Sequence, residues 1–421
     1  MKNLSYKNLN NKTELYIENV AISKIANAVG TPFYAYSRLS LFENYENFVD
    51  AFEFHKIFNY KICYAIKANF NISLVKILAD LGSGVDAVSA GEIYRAIKAG
   101  IDPKKIVFAG VGKTREDMIF AFENGVEEFS VESVEEMFLL NEVANNLQKI
   151  AKFSVRVNPD IDAKTHDKIS TGRKGDKFGI DFDNAVEVYR LASKLTGLEI
   201  YGIAMHIGSQ IINLKPFEQA FAKLRNLYNE LTELGFKIKN LDFGGGIGIN
   251  YKDETTININ EYIALIKKTI AGINVGVTIA PGRAIVGNAG FLVTKTIFHK
   301  ETPTKNFVII DGAINDLMRP GLYGSYHEVI PVEKRQWHRQ KFDFAGPVCE
   351  STDILAKNRE IVVPNIGDLF VFLSAGAYGS SMSSEYNCRP LIPEVLVDDN
   401  KFKIIRKRPT FQEMIKLEEN L

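Results

Sequence analysis

From residue 61 onward, short apolar runs alternate with longer amphipathic segments. The runs fall at Lys61–Ala68, Val85–Val88, Lys105–Ala109, Glu128–Val131, Phe153–Val157, Ile200–His206, Leu241–Phe243 and Val275–Ala280. Nearly continuous apolar runs of this length suit parallel strands covered on both faces. The intervening segments carry helix punctuation. Ile72, Val75, Leu78 and Leu81 form a helical stripe, and Leu39 to Phe54 places aromatics at helical spacing. Ser89-Ala-Gly-Glu92 and Ser133-Val-Glu-Glu136 match the capping box, while Gly100, Gly125 and Gly235 stand where helices stop. About eight βα units over a ~250-residue span predict a (β/α)8 TIM-type barrel over 33–286, with a doubly wound open sheet as the alternative.

Beyond Gly287 the helical rhythm ends. FLVTKTIF, KNFVIID, KFDFAGPV, REIVVP, GDLFVFL and the pair EVLV/KFKII around Asp398-Asp399-Asn400 read as strands and a hairpin. A mainly-β C-terminal domain is therefore expected over 287–421. Between its strands lie the polar clusters DLMRPGLYGSYH, GPVCESTD and SAGAYGSSMSSEYN, loops of a composition suited to binding and catalysis.

Composition narrows the class without naming a function. Lys+Arg and Asp+Glu both total 51, so no net charge points to nucleic acid or an anionic membrane. No apolar run reaches the ~18 residues that span a bilayer, and the polar start MKNLSYKNLN has no signal-peptide core. Cys63, Cys349 and Cys388 are too scattered for a disulfide or zinc framework. A cytoplasmic protein with no metal is the expectation.

The candidate chemistry collects at the downstream ends of the predicted strands, which in a barrel converge on one face. Lys67 stands near the end of YKICYAIKANF, where an ammonium must reach solvent or be held for chemistry. A strand-end lysine reaching solvent is the commoner case. Asp86, Arg156, His206 with Ser209, Gly244-Gly245-Gly246 and Pro281-Gly282-Arg283 occupy the corresponding ends. Consecutive glycines let backbone N–H groups close around an anion, and a guanidinium binds phosphate or carboxylate bidentately. A lysine facing such a cradle suits a phosphorylated aldehyde such as pyridoxal phosphate. It equally suits a phosphorylated sugar handled by an aldolase-type lysine.

The ordered motifs GTPFYAYS, YAIKAN, GVDAVSAGE, RVNPD, KFGI, HIGSQ, DFGGGIGI, PGR, MRPGLY, GPVCESTD and AGAY span nearly the whole chain. In them the sequence resembles the fold-type III pyridoxal-phosphate decarboxylases, whose alanine racemase-like barrel is followed by a β domain. The resemblance implies pyridoxal 5'-phosphate as cofactor and an N-terminal segment, 1–32, contributing to the β domain. It also implies a head-to-tail homodimer with shared active sites. By the same resemblance Lys67 matches the Schiff-base lysine, His206 the histidine stacked on the ring, and Arg156 the arginine near the phenolic oxygen. Ser209, the glycines 244–246 and the backbone of 282–283 match the phosphate set, and Asp86, Ala280, Pro281 and Tyr378 also fall at cofactor positions. Arg283, Arg319, Tyr323, Glu350 and Tyr378 match substrate positions.

Cys349 matches the proton donor, a role open to a thiol of ordinary pKa ~8.5. Cys349-Glu350-Ser351 and MRPGLY favour meso-2,6-diaminopimelate over ornithine as substrate, with L-lysine and carbon dioxide as products. Arg319 is assigned to the distal carboxylate and Glu350 to the distal ammonium. The alternatives are a decarboxylase of another basic amino acid, such as carboxynorspermidine, ornithine or arginine, and a weakened cofactor-binding protein. The last follows from one departure: the family's Glu-Pro-Gly-Arg reads Ala280-Pro-Gly-Arg here, which removes the acid that pairs with the pyridine nitrogen.

Overall fold

A computed structural model of the chain describes residues 3–9, 12–162, 171–173 and 175–418. The chain divides into two compact units. One comprises residues 44–249 and 255–285, and the other residues 1–43, 250–254 and 286–421.

The first unit is a closed parallel barrel. Its eight strands are Tyr60–Ala65, Gly84–Ala87, Ile106–Phe108, Glu128–Val131, Ala151–Asn158, Leu198–Met205, Asn240–Asp242 and Gly276–Ile279. Each pairs in parallel with the next, and Val277↔Tyr60 closes the ring. Helices follow the strands as the punctuation predicts. Ser89 and Ser133 cap their helices by accepting from the N–H of Glu92 and Glu136. The two glutamates reach one residue further back than in a capping box, to the N–H of Val88 and Glu132. A reciprocal box occurs at Thr114–Asp117.

Strand alternation sorts the residues into two sets. Phe153, Val155, Val157, Ile203, Met205, Leu241, Val277 and Ile279 are buried apolar residues. The alternate positions are polar or small: Lys61 and Cys63, Glu128 and Ser130, Ser154 and Arg156, Asn240 and Asp242, Thr278. Lys61 forms an ion pair with Glu128. Their strands, the first and fourth, are not neighbours, so the contact crosses the barrel interior. Burial pulls the Lys61 ammonium down, but the Glu128 carboxylate outweighs it and the net shift is upward. This interior is a charged and hydroxylated column, whereas such barrels ordinarily fill theirs with branched aliphatics.

The second unit is built on a nine-stranded sheet. Its spine runs Ile354–Val362, Arg339–Ala345, Asn306–Ile310, Gly290–Glu301, Phe33–Ser37, Glu394–Asp398, Lys401–Arg406, and Leu369–Phe372 pairs with Gly290–Glu301. The final hairpin turns through Asp399, whose φ is 55°. Phe33–Ser37, read from sequence as the opening of the barrel, is instead an interior strand of this sheet. It is antiparallel to Gly290–Glu301 and parallel to Glu394–Asp398. All five of its residues are buried, which suits a barrel strand and an interior strand of this sheet equally, so burial alone does not separate the two and the distant pairing partners decide. The N-terminal strands Leu4–Leu9, Lys12–Ile17 and Val20–Ala21 form a smaller sheet with Glu333–Lys334. Leu15, Ile17, Val20, Phe33, Ala35, Phe291, Val293, Val371 and Val395 share one core. Each valine, leucine, isoleucine or phenylalanine among them contributes about 1.5–3 kcal/mol.

Candidate active site

The strand that carries Lys67 ends sooner than its apolar run. After Ala65 the backbone turns into a short 3-10 segment, Ile66–Ala68, which lifts Lys67 off the sheet. The lysine side chain is 39% exposed and its Nζ lies 3.9 Å from Asp86 Oδ2, on the second strand. Burial raises the Asp86 carboxyl above its ordinary value, and Lys67 and Arg156 oppose that shift. His206 follows the sixth strand. Its Nδ1 accepts the N–H of Gly245 at 3.2 Å, which places any ring proton of the neutral imidazole on Nε2. Burial, with Lys67 and Arg156 nearby, holds it well below the ordinary histidine range. The ring is thus a flat, neutral surface.

The glycine run crosses two backbones too closely for any side chain. A Cβ on Gly244 would stand 2.2 Å from the Met205 carbonyl oxygen, and one on Gly245 2.0 Å from that of Ala280. Gly244 and Gly246 also hold φ of 66° and 106°. The Gly244 amide is taken by Asp242 Oδ1 at 2.8 Å and the Gly245 amide by His206. Among the described residues the Gly246 amide has no such acceptor, which leaves it for an anion. Arg283 donates through Nη2 to Ser209 Oγ at 3.0 Å, joining the loops after the eighth and sixth strands. The Pro281 carbonyl accepts from the Ala65 amide at 3.1 Å and Gly282 packs on Ala65, so the phosphate side is tied to the lysine strand. An amine, a flat ring and an amide cradle with a cation beside it fit a phosphorylated aromatic aldehyde.

Behind these groups lie carboxylates that sequence reasoning passed over. Glu132, 6% exposed, accepts from Arg156 Nη1 at 2.9 Å and from the amides of Gly110 at 3.0 Å and Gly179 at 3.1 Å. One side chain thereby fixes Arg156 and two loops. Asp242, deeper on the seventh strand, is pushed up to about 7 by burial, with Asp86 and Glu128 adding and the Gly244 N–H opposing. Glu92 is likewise pushed up to about 7 by burial. The signal for Glu132 and Asp242 in sequence is their position at or just past a strand end, whereas Glu92 stands on the helix Ala90–Lys98 and is visible in sequence as the end of Ser89-Ala-Gly-Glu92.

The other residues matched by the family resemblance lie in the second unit, on three loops of its sheet. Arg319 and Tyr323 bracket the short helix Arg319–Tyr323, which ends at Gly324 in the left-handed region. Arg319 is buried; its Nη1 lies 2.9 Å from His327 Nε2 and its guanidinium 4.7 Å above the Tyr251 ring. Cys349 and Glu350 are exposed in the loop before Ile354–Val362. Asp353 shapes that loop, accepting from the amides of Ile314 at 2.6 Å and Val348 at 2.8 Å, and Asn387 accepts the Cys349 amide at 3.0 Å. The Ile314 bond also ties the cysteine loop to the segment that leads into Arg319. Tyr378 follows Leu369–Phe372 and holds a φ of 56°. No cluster of three metal-ligating side chains occurs among the described residues, and none of their helices is long and apolar enough to cross a membrane.

The barrel and its lysine define a class first. Residues 40–287 match the family described as "Pyridoxal-dependent decarboxylase, pyridoxal binding domain". Full-length relatives then narrow it. The chain is 46% identical over 403 residues to a diaminopimelate decarboxylase of Aquifex aeolicus, covering 96% of this chain and 95% of that one. It is 45% identical to the enzyme of the same name from Vibrio cholerae, covering 99% of both. A crystal structure of the Helicobacter pylori diaminopimelate decarboxylase with L-lysine superposes with a TM-score of 0.90 at 38% identity, over 94% of this chain and 99% of that one. The chain belongs to the diaminopimelate decarboxylase family.

Proposed function

We propose that the chain decarboxylates meso-2,6-diaminopimelate to L-lysine and carbon dioxide, using pyridoxal 5'-phosphate carried on Lys67. The observation that carries this reading is a single barrel mouth holding both an accessible amine beside a carboxylate and a glycine cradle beside Arg283 and Ser209. The bound cofactor supplies an electron sink for the pair left behind when carbon dioxide departs. The protein supplies the rest. Asp86 keeps negative charge beside the Lys67 amine, and the neutral His206 ring offers a stacking face. Glu132 aims Arg156. Gly246, Ser209 and Arg283 offer hydrogen bonds to a phosphate.

Substrate recognition falls to the second unit. Arg319 binds the distal carboxylate, Glu350 the distal ammonium, and Tyr323 and Tyr378 line the site. Cys349 delivers the proton that replaces carbon dioxide. Cys349 and Glu350 are exposed in the single chain, which supports a head-to-tail homodimer in which they complete the partner's site.

Three measurements test this. The purified protein is expected to show a visible cofactor band, borohydride followed by peptide mapping to place the label on Lys67, and meso-diaminopimelate to release carbon dioxide. A band with label elsewhere overturns the lysine assignment. Label on Lys67 with release from ornithine and none from diaminopimelate overturns the substrate. A labelled protein that releases nothing from any basic amino acid reduces the chain to a cofactor binder, the outcome that Ala280 would explain.

A further inference from the structure

We propose that His327 is the positioning residue that fixes Arg319 for the distal carboxylate; this rests on the reading that Arg319 binds that group. His327 is fully buried, and its Nδ1 lies 2.8 Å from the Leu373 carbonyl oxygen. A carbonyl only accepts, so a proton sits on Nδ1; a guanidinium only donates, so the Nε2 that faces it carries none and the imidazole is neutral. That leaves the Nε2 lone pair to accept from Arg319 Nη1 at 2.9 Å. The tautomer is therefore set by Leu373, 46 residues away, and read out at the guanidinium.

Tyr251 completes the mount. Its ring face lies 4.7 Å from Arg319 Cζ, and it meets the His327 ring edge-on at 5.4 Å and 85°. The guanidinium is thus gripped along one edge by a neutral acceptor and across one face by an aromatic ring. A second arginine braces the histidine from behind: Arg359 Nη2 donates to the His327 carbonyl oxygen at 2.9 Å, and its guanidinium lies 3.8 Å over the Tyr326 ring. A free arginine loses considerable rotamer freedom when a ligand immobilises it. Arg319 has lost that freedom before the ligand arrives, so its fork is presented in one orientation.

The alternative, that His327 merely fills space, makes a different prediction for ligands with and without the distal carboxylate. L-lysine keeps that carboxylate, whereas 1,5-diaminopentane has neither. In the holoenzyme, His327→Asn keeps a donor near Leu373 and loses the acceptor for Arg319. We expect it to raise KM for meso-diaminopimelate and the inhibition constant of L-lysine together, by roughly tenfold, with little change in kcat. Inhibition by 1,5-diaminopentane should not move. His327→Gln, whose amide oxygen reaches the Nε2 position, should restore most of the loss. Tyr251→Leu should reproduce the ligand pattern at smaller amplitude, and serves if the histidine variants fold poorly.

Equal changes for both ligands, or none, with Arg319→Ala still raising KM, overturn the role of His327 and leave Arg319 in place. No effect of Arg319→Ala itself overturns the carboxylate assignment, and the inference falls with it.

Discussion

In the barrel, cations stand beside carboxylates: Lys61 with Glu128, Lys67 with Asp86, Lys113 with Glu136, Arg156 with Glu132. In the β unit, Arg319 and Arg359 lie on the faces of Tyr251 and Tyr326, braced by the ring nitrogen and carbonyl of one histidine. These six cations are held by two means, neither confined to its unit: Lys61 and Arg156 also lie over the Tyr201 and Phe178 rings, and Arg406 and Arg335 of the β unit pair with Glu394 and Asp368. Ion-pairing fixes a cation and spends its field on a resident partner. A ring face and a neutral nitrogen fix it by cation–π and hydrogen-bond contacts. Under the proposed function, Lys67 and Arg156 would serve the cofactor and Arg319 the substrate.

That contrast is breakable. Lys67→Ala should remove the visible band and lower turnover by on the order of 10^4-fold, measured by absorbance and carbon dioxide release; a variant that kept its band would place the cofactor elsewhere. Glu132→Ala leaves Arg156 and the amides of Gly110 and Gly179 short of an acceptor, and should cost about 3–5 kcal/mol in urea unfolding. Glu132→Gln, which keeps an acceptor oxygen, should lose less; equal losses would mean that charge and not acceptance matters there.

A pH series separates a buried acid from the paired ones. Asp242 titrates near 7 when folded and near ~3.9 unfolded, so the native state binds the extra proton between those values. Its contribution to stability therefore falls as pH rises through that window and is level above it. Asp242→Asn has no such proton. It should gain on the wild type by about 4 kcal/mol between pH 4 and 7. Parallel unfolding midpoints across the series would show Asp242 ionised throughout. The smallest effect is expected at Tyr326→Leu, which removes the ring under Arg359 and should cost about 1 kcal/mol, read from the thermal midpoint and sensitive to added salt only weakly.

Much of this was legible because strands announce themselves in pairs of faces. The run Phe153–Val157 alternates apolar residues with Ser154 and Arg156, and the structure turns the two sets to opposite sides of the barrel wall. The glycines at 244–246 were readable because only their conformation and the backbone contacts explain three in a row. Phe33–Ser37 was not, since its partners lie some hundreds of residues downstream and nothing local distinguishes it from a barrel strand. His327 was hidden for the same reason. It is one polar residue in GSYHE, and its meaning depends on Leu373 and Tyr251. Lys67 fell between the two cases: its position near a strand end was visible, and the 3-10 turn that lifts it was not.

The ion pair that crosses the barrel interior has a thermal consequence. Charged groups are hydrated with a strongly negative entropy, so withdrawing them from water becomes less costly on warming, while the gain from covering aliphatic surface levels off. Lys61 and Glu128 therefore favour the closed ring relatively more in hot solution than in cold. A barrel filled with valine and isoleucine along its axis would have no such term. Relative to that design, this one should lose less of its interior cohesion on heating and more on cooling.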